Sequence, residues 1–171
     1  IQLGKYEQAD ARVKRAMEID SKDPTTHYFA GLLEMRRPKG DIAQAVKELT
    51  LGEQSPTMGV EARFAIAECM RRQNNPGGAI TQLEQALAQQ PENMQVRLAL
   101  LDAYASAQPP RWPDVERVIR DAKSLPGYRP NAELLHREAS MWLARGEMDS
   151  AMTAIKEARA ADPSSVMVAR M

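Results

Sequence analysis

Several residue types on which catalytic and metal sites depend are scarce in this chain of 171 residues. It contains one cysteine and two histidines, and aromatic residues account for only 5% of the sequence. A single cysteine excludes an intramolecular disulfide framework and a cysteine-rich zinc site, and no cysteine or histidine cluster has metal-ligand spacing. The apolar runs fall far short of the roughly 20 residues that span a membrane. We therefore predict no metal, no cofactor and no membrane span in this sequence.

An excess of charge of either sign is also missing. The 23 lysines and arginines are balanced by 23 aspartates and glutamates. A chain without net charge has no overall field to draw it to nucleic acid or to anionic lipid. We therefore predict a protein or peptide partner and no nucleic acid.

What the chain does have is helix-forming residues over nearly its whole length. Alanine, glutamate, glutamine, arginine, leucine and methionine dominate, and no stretch alternates between apolar and polar residues as a strand does. Prolines interrupt this pattern at regular intervals, and several follow a residue that could cap a helix, which places proline at the first helical position. These dipeptides are Asp23-Pro24, Ser55-Pro56, Asn75-Pro76, Gln90-Pro91, Trp112-Pro113 and Asp162-Pro163.

A pair of small residues seven positions apart recurs along the chain. Side chains seven apart lie on one face of a helix, and small ones let a neighbouring helix approach closely. Successive pairs are 34 or 36 residues apart, which indicates a repeat of two helices. The first members are Ala9, Ala45, Ala79, Val115 and Ala151, and the second members are Ala16, Gly52, Ala86, Ala122 and Ala158.

With these residues the sequence resembles the tetratricopeptide repeat (TPR) family over essentially all of its length. The most specific stretch is LARGEMDSAMTAIKEARAADP, with Gly146 in a turn and Pro163 closing the unit, and GKYEQADARVKRAMEID fits equally well through Gly4 and Tyr6. The resemblance implies an all-α fold, a right-handed α-solenoid of antiparallel helix pairs (the TPR superhelix) with about nine helices. The first helix of each pair is then expected to supply a small packing residue, which is Gly31, Ala67 or Ala139. The third pair departs from this pattern, with Leu101 at that place and Ala103 nearby.

The resemblance also implies a division of the chain. We expect a single array over 1–171 that enters on the second helix of a partial repeat at about 1–20. Full repeats are expected at 24–54, 59–90, 93–124 and 131–161, and a further repeat starts at 164–171. Their helices are predicted at 24–37 and 41–54, 59–73 and 76–90, 93–107 and 113–124, and 131–145 and 148–161. Because both ends fall inside a repeat, we interpret the sequence as an internal fragment of a longer, bacterial repeat protein.

The implied function is a non-catalytic scaffold that binds a peptide or protein segment in a concave groove lined by first helices. Apolar anchors flanked by arginines suit an extended or helical peptide. The arginines have a second interpretation, since cations near helix C-termini complement the helix dipole. Trp112, in an inserted turn, is expected to lie apart from the groove. The predicted groove residues are Tyr28, Leu32, Arg36, Phe64, Glu68, Arg71, Arg72, Leu98, Asp102 and His136.

Two further possibilities follow from the same resemblance. The chain could be a structural spacer or assembly segment of a larger bacterial envelope, secretion or polysaccharide-export protein. Apolar surfaces around Val13, Met17, Val166 and Val168 are expected to favour end-to-end self-association. The sequence leaves both the cytoplasm and the bacterial periplasm open as its compartment.

Catalysis is not predicted, because the candidate groups do not converge. His27 and His136 lie three repeats apart, and Glu133 shares a helix face with His136 but has no third metal ligand nearby. Arginines next to Cys69 would lower the pKa of its thiol, yet no general base stands beside it, which favours a packed thiol. The sequence therefore predicts that the chain is not an enzyme.

Overall fold

The computed structural model describes residues 3–164, and within that part of the chain the regular structure is helix throughout. The predicted repeat start beyond Ser164, with Val166 and Val168, lies outside the described residues. The helices are α1 (Leu3–Ile19), α2 (Pro24–Arg36), α3 (Ile42–Gly52), α4 (Gly59–Arg72), α5 (Pro76–Gln89), α6 (Met94–Ala105), α7 (Trp112–Lys123), α8 (Ala132–Ala144) and α9 (Met148–Ala161).

Two of the proline dipeptides begin helices as predicted. The Asp23 carboxylate accepts hydrogen bonds from the backbone N–H groups of Thr25 at 3.2 Å and Thr26 at 2.8 Å. The Asn75 side chain accepts one from the N–H of Gly78 at 3.0 Å. In both helices proline is the first residue, where its missing N–H leaves no bond unmade. Local side-chain chemistry therefore sets these two boundaries.

Two other dipeptides do not begin a helix. After Ser55-Pro56, α4 starts only at Gly59, and the Ser55 hydroxyl accepts a hydrogen bond from the N–H of Met58 at 3.2 Å instead. After Gln90-Pro91, α6 starts at Met94, because the Asn93 side chain caps it by accepting from the N–H of Val96. In each case proline precedes the helix and does not form its first turn.

The helices pack as successive pairs, α2 with α3, α4 with α5, α6 with α7, and α8 with α9. Two of the turns within pairs are longer than the other two: residues 37–41 and 106–111 connect α2 to α3 and α6 to α7, whereas three residues each, 73–75 and 145–147, connect the other pairs. The chain divides into two compact units, one ending at Gln90 and the other beginning at Pro91. In the first unit α1 packs on α2 and α3 on α4, and in the second α7 packs on α8. The division into repeats stays a prediction.

The recurring small residues lie where paired helices meet. Those on α3, α5, α7 and α9 are all buried, and Ala45, Ala86, Ala122, Ala151 and Ala158 have no exposed surface. The presence of glycine, and not alanine, at position 52 has a steric reason. A Cβ atom there would come within 2.9 Å of both the Cα and the N atom of Tyr28, so the backbone of α2 leaves no room for alanine.

Candidate partner-binding surfaces

Among residues 3–164 no group of three or more histidine, cysteine, aspartate and glutamate side chains has metal-binding geometry. Cys69 is fully buried, and desolvation raises the pKa of its thiol despite the nearby Arg72. This agrees with the packed thiol that the sequence favoured, because a reactive cysteine needs an accessible thiolate. Within the same residues, no helix combines the length and apolar character required to cross a bilayer.

The predicted groove residues of α2 are only partly accessible. Tyr28 and Leu32 are half-buried and pack against a core cluster that includes Met35, Leu49 and Ile66. Burial raises the pKa of the Tyr28 phenol, with a smaller contribution from the negative charge of Glu61. These two side chains therefore support the packing of the first unit as well as its surface.

Arg36, by contrast, is exposed at the end of α2. Its backbone carbonyl accepts a hydrogen bond from the Tyr6 hydroxyl at 2.7 Å. Its guanidinium forms no ion pair with a carboxylate of the described residues. Arg36 is therefore a cation that a ligand could pair with.

Phe64 is the most accessible apolar side chain of the predicted groove. It is 38% exposed, although Ala62, Ala65 and Ile66 around it on α4 are buried. When a partner covers an exposed phenylalanine ring, apolar surface is removed from water, and this favours binding. Phe64 is thus available as an anchor for an apolar side chain.

Glu68, Arg71 and Arg72 form a closed ion network one turn further along α4. Arg71 donates through Nε and Nη2 to the two oxygens of Glu68, both at 2.9 Å, and Arg72 Nε donates to the same carboxylate at 3.0 Å. The hydrogen bond from Arg71 is the largest cause that lowers the pKa of Glu68. Arg72 also donates to the backbone carbonyl of Met35 at 3.1 Å, which joins α4 to α2. The two arginines therefore do more than complement a helix dipole.

Among the predicted groove residues, Leu98 has the least accessible side chain. Leu98 is only 9% exposed, because α6 is apolar around most of its circumference. Val96, Leu100, Leu101 and Tyr104 on the other faces of this helix are buried as well. Because apolar residues occupy most of the circumference of α6, the spacing of apolar residues alone does not show which of them are accessible.

In the second unit, Asp102 and His136 line one cleft of about 240 Å³. Asp102 accepts hydrogen bonds from Arg137 Nε at 2.7 Å and Nη2 at 2.8 Å, a bidentate pair between α6 and α8. Trp112 lines the same cleft, so the expectation that it lies apart from the predicted groove residues is wrong in this unit. The reason is local: Trp112 is the first residue of α7 and not part of the inserted turn.

A second cleft, which the sequence did not predict as a site, lies between α1 and α2. It has a volume of about 600 Å³ and is mainly apolar. Arg12 and the predicted groove residue Arg36 also line it, whereas no carboxylate does. Its apolar walls are formed by Ala9, Val13 and Ala16 of α1 and by Phe29, Leu32 and Leu33 of α2.

Comparisons with known proteins identify this arrangement of helix pairs. A family model described as tetratricopeptide repeat matches residues 60–103. A crystal structure of PilW, described as a widely conserved type IV pilus biogenesis factor, is similar with a TM-score of 0.77 at 18% identity, covering 96% of this chain and 74% of PilW. The structure of YrrB, described as a TPR protein with an unusual peptide-binding site, has a TM-score of 0.74 at 13% identity, covering 98% of this chain and 84% of YrrB. This chain has the TPR fold.

A third TPR-like neighbour, MamA, has a TM-score of 0.76 at 16% identity, covering 94% of this chain and 90% of MamA. Among curated proteins, Protein NPG1 of Arabidopsis thaliana is 27% identical over 128 residues, which is 75% of this chain. The match spans only 18% of that plant protein. The similar structures confirm the all-α helical-repeat fold that the resemblance to the TPR family implied.

The TPR pattern explains which functional features sequence reasoning missed. Counting from the packing residue of α4 leads to Phe64, Arg71 and Arg72, which are exposed, and to Glu68, which is half-buried. The repeat match lies over the same helix. The same counting ignores α1, because the pattern treats it as a second helix that packs on a first helix. The sequence feature that could have indicated the cleft is the spacing of Ala9, Val13 and Ala16, which places three apolar residues on one face of α1.

Proposed function

We propose that this chain is a non-catalytic TPR scaffold that binds a peptide or protein segment on the surface of its first helices. The observation that carries the proposal is Phe64, an exposed aromatic side chain on α4 beside a network of arginines. Aromatic and arginine side chains are the residues that most often dominate binding energy at protein interfaces. The similarity to YrrB, which is described as a TPR protein with an unusual peptide-binding site, supports the same class of function.

The first unit supplies the apolar anchor and the charges of the site. Phe64 makes the apolar contact, and Tyr28 and Leu32 are the partly accessible apolar residues of α2. Arg36 is the cation without a carboxylate partner among the described residues, whereas Arg71 and Arg72 already share Glu68. A partner carboxylate therefore gains most by pairing with Arg36, since it displaces no existing ion pair.

In the second unit we propose a smaller contact region around the cleft of Asp102, His136 and Trp112. Arg137 neutralises Asp102, so the cleft presents an ion pair and an indole and not a bare carboxylate. Such a surface suits polar backbone groups and an apolar side chain of a peptide. Leu98 has no part in it because it is buried.

The two phenylalanines of the chain provide a matched test of the site. Phe64 is 38% exposed on α4, and Phe29 is 45% exposed in the cleft between α1 and α2. A photoreactive phenylalanine analogue placed at either position in cells of the source organism reports which protein contacts which surface. We expect a specific cross-linked partner from position 64, and calorimetry with that partner should show about 2 kcal/mol weaker binding for Phe64→Ala.

The control is Phe29→Ala, which removes a similarly exposed ring from the cleft between α1 and α2. Because the Phe29 ring contacts Tyr28 edge-on, with 5.1 Å between the ring centroids, this variant should weaken the affinity far less than Phe64→Ala but need not leave it identical. A partner that cross-links only through position 29, or binding that ignores Phe64→Ala, contradicts the assignment. Arg36→Glu should act mainly on the association rate and its salt dependence.

A structural role is the second candidate, favoured by the likeness to PilW, which is described as a pilus biogenesis factor. In that case the segment spaces or assembles parts of a larger envelope or secretion protein. The two roles differ in one measurement. Phe64→Ala impairs partner binding but not assembly if the surface is a peptide site, whereas only helix-core substitutions disturb assembly if the segment is a spacer.

A further inference from the structure

The cleft of the second unit that Asp102, His136 and Trp112 line is smaller than a typical site for a small molecule. Its volume is about 240 Å³, whereas sites for cofactors and drug-sized ligands enclose roughly 300–1,000 Å³. Its described walls come from α6, α7 and α8, so neither α1 nor α9 takes part in it. A single side chain of a bound peptide is the size of group that fits this cleft.

The inner walls of this cleft are apolar. They are formed by Leu101, Ala105, Val115 and Met141. The half-buried indole of Trp112 lines the cleft as well. In the described part of the chain, the guanidinium of Arg145 lies 5.0 Å from the ring centroid of Trp142, but no cation lies over Trp112. Since indole attracts cations more strongly than the other aromatic rings do, Trp112 can take its cation from a partner.

On the polar side of the cleft, the ion pair between Asp102 and Arg137 is open at its negative end. The side chain of Asp102 is 59% exposed, whereas that of Arg137 is 21% exposed. Arg137 donates through Nε and Nη2 to Asp102, and through Nη1 to the backbone carbonyl of Glu133 at 3.2 Å. Every guanidinium nitrogen is therefore engaged. An ionised carboxylate accepts about four hydrogen bonds, so Asp102 still has acceptor positions for a ligand.

A second carboxylate makes this side of the cleft negative. Glu133 Oε2 lies 3.9 Å from Arg137 Nη1, and the side chain of Glu133 is 58% exposed. Of the described residues that line the cleft, Arg137 is the only lysine or arginine. One guanidinium thus serves two exposed carboxylates, Asp102 and Glu133. A cation from a partner balances this charge, whereas an anion is repelled by it.

We propose that this cleft binds a lysine or arginine side chain of a peptide partner. Such side chains lay an apolar stem along apolar surface and keep the charged head in water. The stem packs on the apolar walls, and the head lies between the indole of Trp112 and the carboxylate of Asp102. The inference rests on the function proposed above, and it names the type of residue that the second unit selects in its partner.

Short synthetic peptides test the cleft without the natural partner. Four blocked pentapeptides carry arginine, lysine, norleucine or glutamate between two alanines on each side. NMR titration of the ¹⁵N-labelled chain follows the indole N–H signal of Trp112, which is identified by its loss in Trp112→Phe. We expect saturable shifts at millimolar concentrations of the arginine and lysine peptides. The norleucine peptide has an apolar stem without a charge and should bind about tenfold more weakly. The glutamate peptide should bind least.

Two matched variants of the chain complete the test. Asp102→Asn keeps the shape of the side chain but removes its charge, and should weaken the arginine and lysine peptides about tenfold. Asp149→Asn makes the same change at an exposed residue of α9 outside the cleft and should leave their affinity unchanged. Circular dichroism checks that both variants remain helical.

Three results overturn the inference: no saturable shift of the Trp112 signal, equal binding of the norleucine peptide, or an equal loss in Asp149→Asn. The proposed function fails by a different result. If a photoreactive residue at position 64 captures no partner, that counts against the scaffold role whatever side chain the cleft binds.

Discussion

Helices α1 and α3 carry equivalent pairs of small residues, but the two pairs differ in burial. On α3 Ala45 and Gly52 are buried beneath α2, whereas on α1 Ala9 and Ala16 are half-buried and line an open cleft. The difference shows that the pattern encodes a face for helix packing but not whether that face is covered. Whether the face is buried depends on the helix that packs against it.

The polar residues of the two helices differ in the same way. Glu48 of α3 is half-buried and paired with His27, while Arg12 of α1 is exposed at the cleft without a carboxylate partner. A buried polar group depends on its partner far more than an exposed one does. The contrast between α1 and α3 therefore predicts unequal responses to equivalent substitutions.

The largest contrast is expected from a charge placed at equivalent positions. Ala45→Glu strands a carboxylate in a fully buried contact and should lower the free energy of unfolding by about 3 kcal/mol or more. Ala9→Glu places the same charge in an open cleft beside Arg12 and should change it by less than about 1 kcal/mol. Urea unfolding followed by circular dichroism measures both. Equal losses would show that α1 is as well covered as α3.

The next contrast uses a single methyl group. Gly52→Ala brings a Cβ atom to 2.9 Å from backbone atoms of Tyr28 and should cost about 1–3 kcal/mol, despite the higher helix propensity of alanine. Gly77→Ala adds the same methyl to α5, where nothing lies within 4 Å, and should stabilise by up to about 1 kcal/mol. Thermal melts of the two variants should move in opposite directions. A Gly52→Ala variant as stable as the parent would mean that α2 and α3 can separate without penalty.

A smaller contrast comes from deleting the polar residue three after the packing alanine. Glu48→Ala removes the partner of His27 and the acceptor of Gln44, and should cost about 1–2 kcal/mol. Arg12→Ala deletes an exposed guanidinium and should stay within about 0.5 kcal/mol. Chemical unfolding at neutral pH compares them. A larger loss from Arg12→Ala would place Arg12 in a packing role.

The smallest effect is expected from the exposed network on α4. Its arginines lower the pKa of Glu68 in the folded protein. The pairing therefore stabilises the fold fully at pH values above the pKa that Glu68 has in the unfolded chain. This stabilisation is lost as the pH falls through the lower pKa of the folded state. Glu68→Gln should cost less than about 1 kcal/mol at neutral pH, because the network is solvated. The difference from the parent should shrink as acid protonates Glu68, and high salt should reduce it too. A difference that persists in acid would point to packing and not to charge.

Much of the fold could be predicted because it is local and repeated. The small-residue spacing indicated a repeat of two helices, and Asp23 and Asn75 marked helix starts through hydrogen bonds to residues two or three positions further along the chain. Ser55 and Gln90 were less informative. The turn that follows each proline depends on a later side chain, such as Asn93, and not on the dipeptide itself.

The candidate site was less predictable, since exposure depends on contacts between helices. Phe64 and Leu98 occupy equivalent positions in the repeat, yet only Phe64 is exposed, because apolar residues occupy most of the circumference of α6 and Leu98 is covered with them. The sequence placed Trp112 in the turn before a helix predicted to start at residue 113, whereas α7 begins at Trp112 itself. The pairing of Asp102 with Arg137 joins residues that are far apart in sequence, and no repeat pattern predicts it.

Cys69 gives the chain a built-in reporter of its own motions. The thiol is the only one in the sequence and is completely buried beside the residues that join α2, α3 and α4. A thiol reagent can therefore react only after this cluster opens, and its rate measures the frequency of that opening. The same burial leaves the surface free of reactive sulfur, so a cysteine introduced at any exposed position can carry a spectroscopic label by itself.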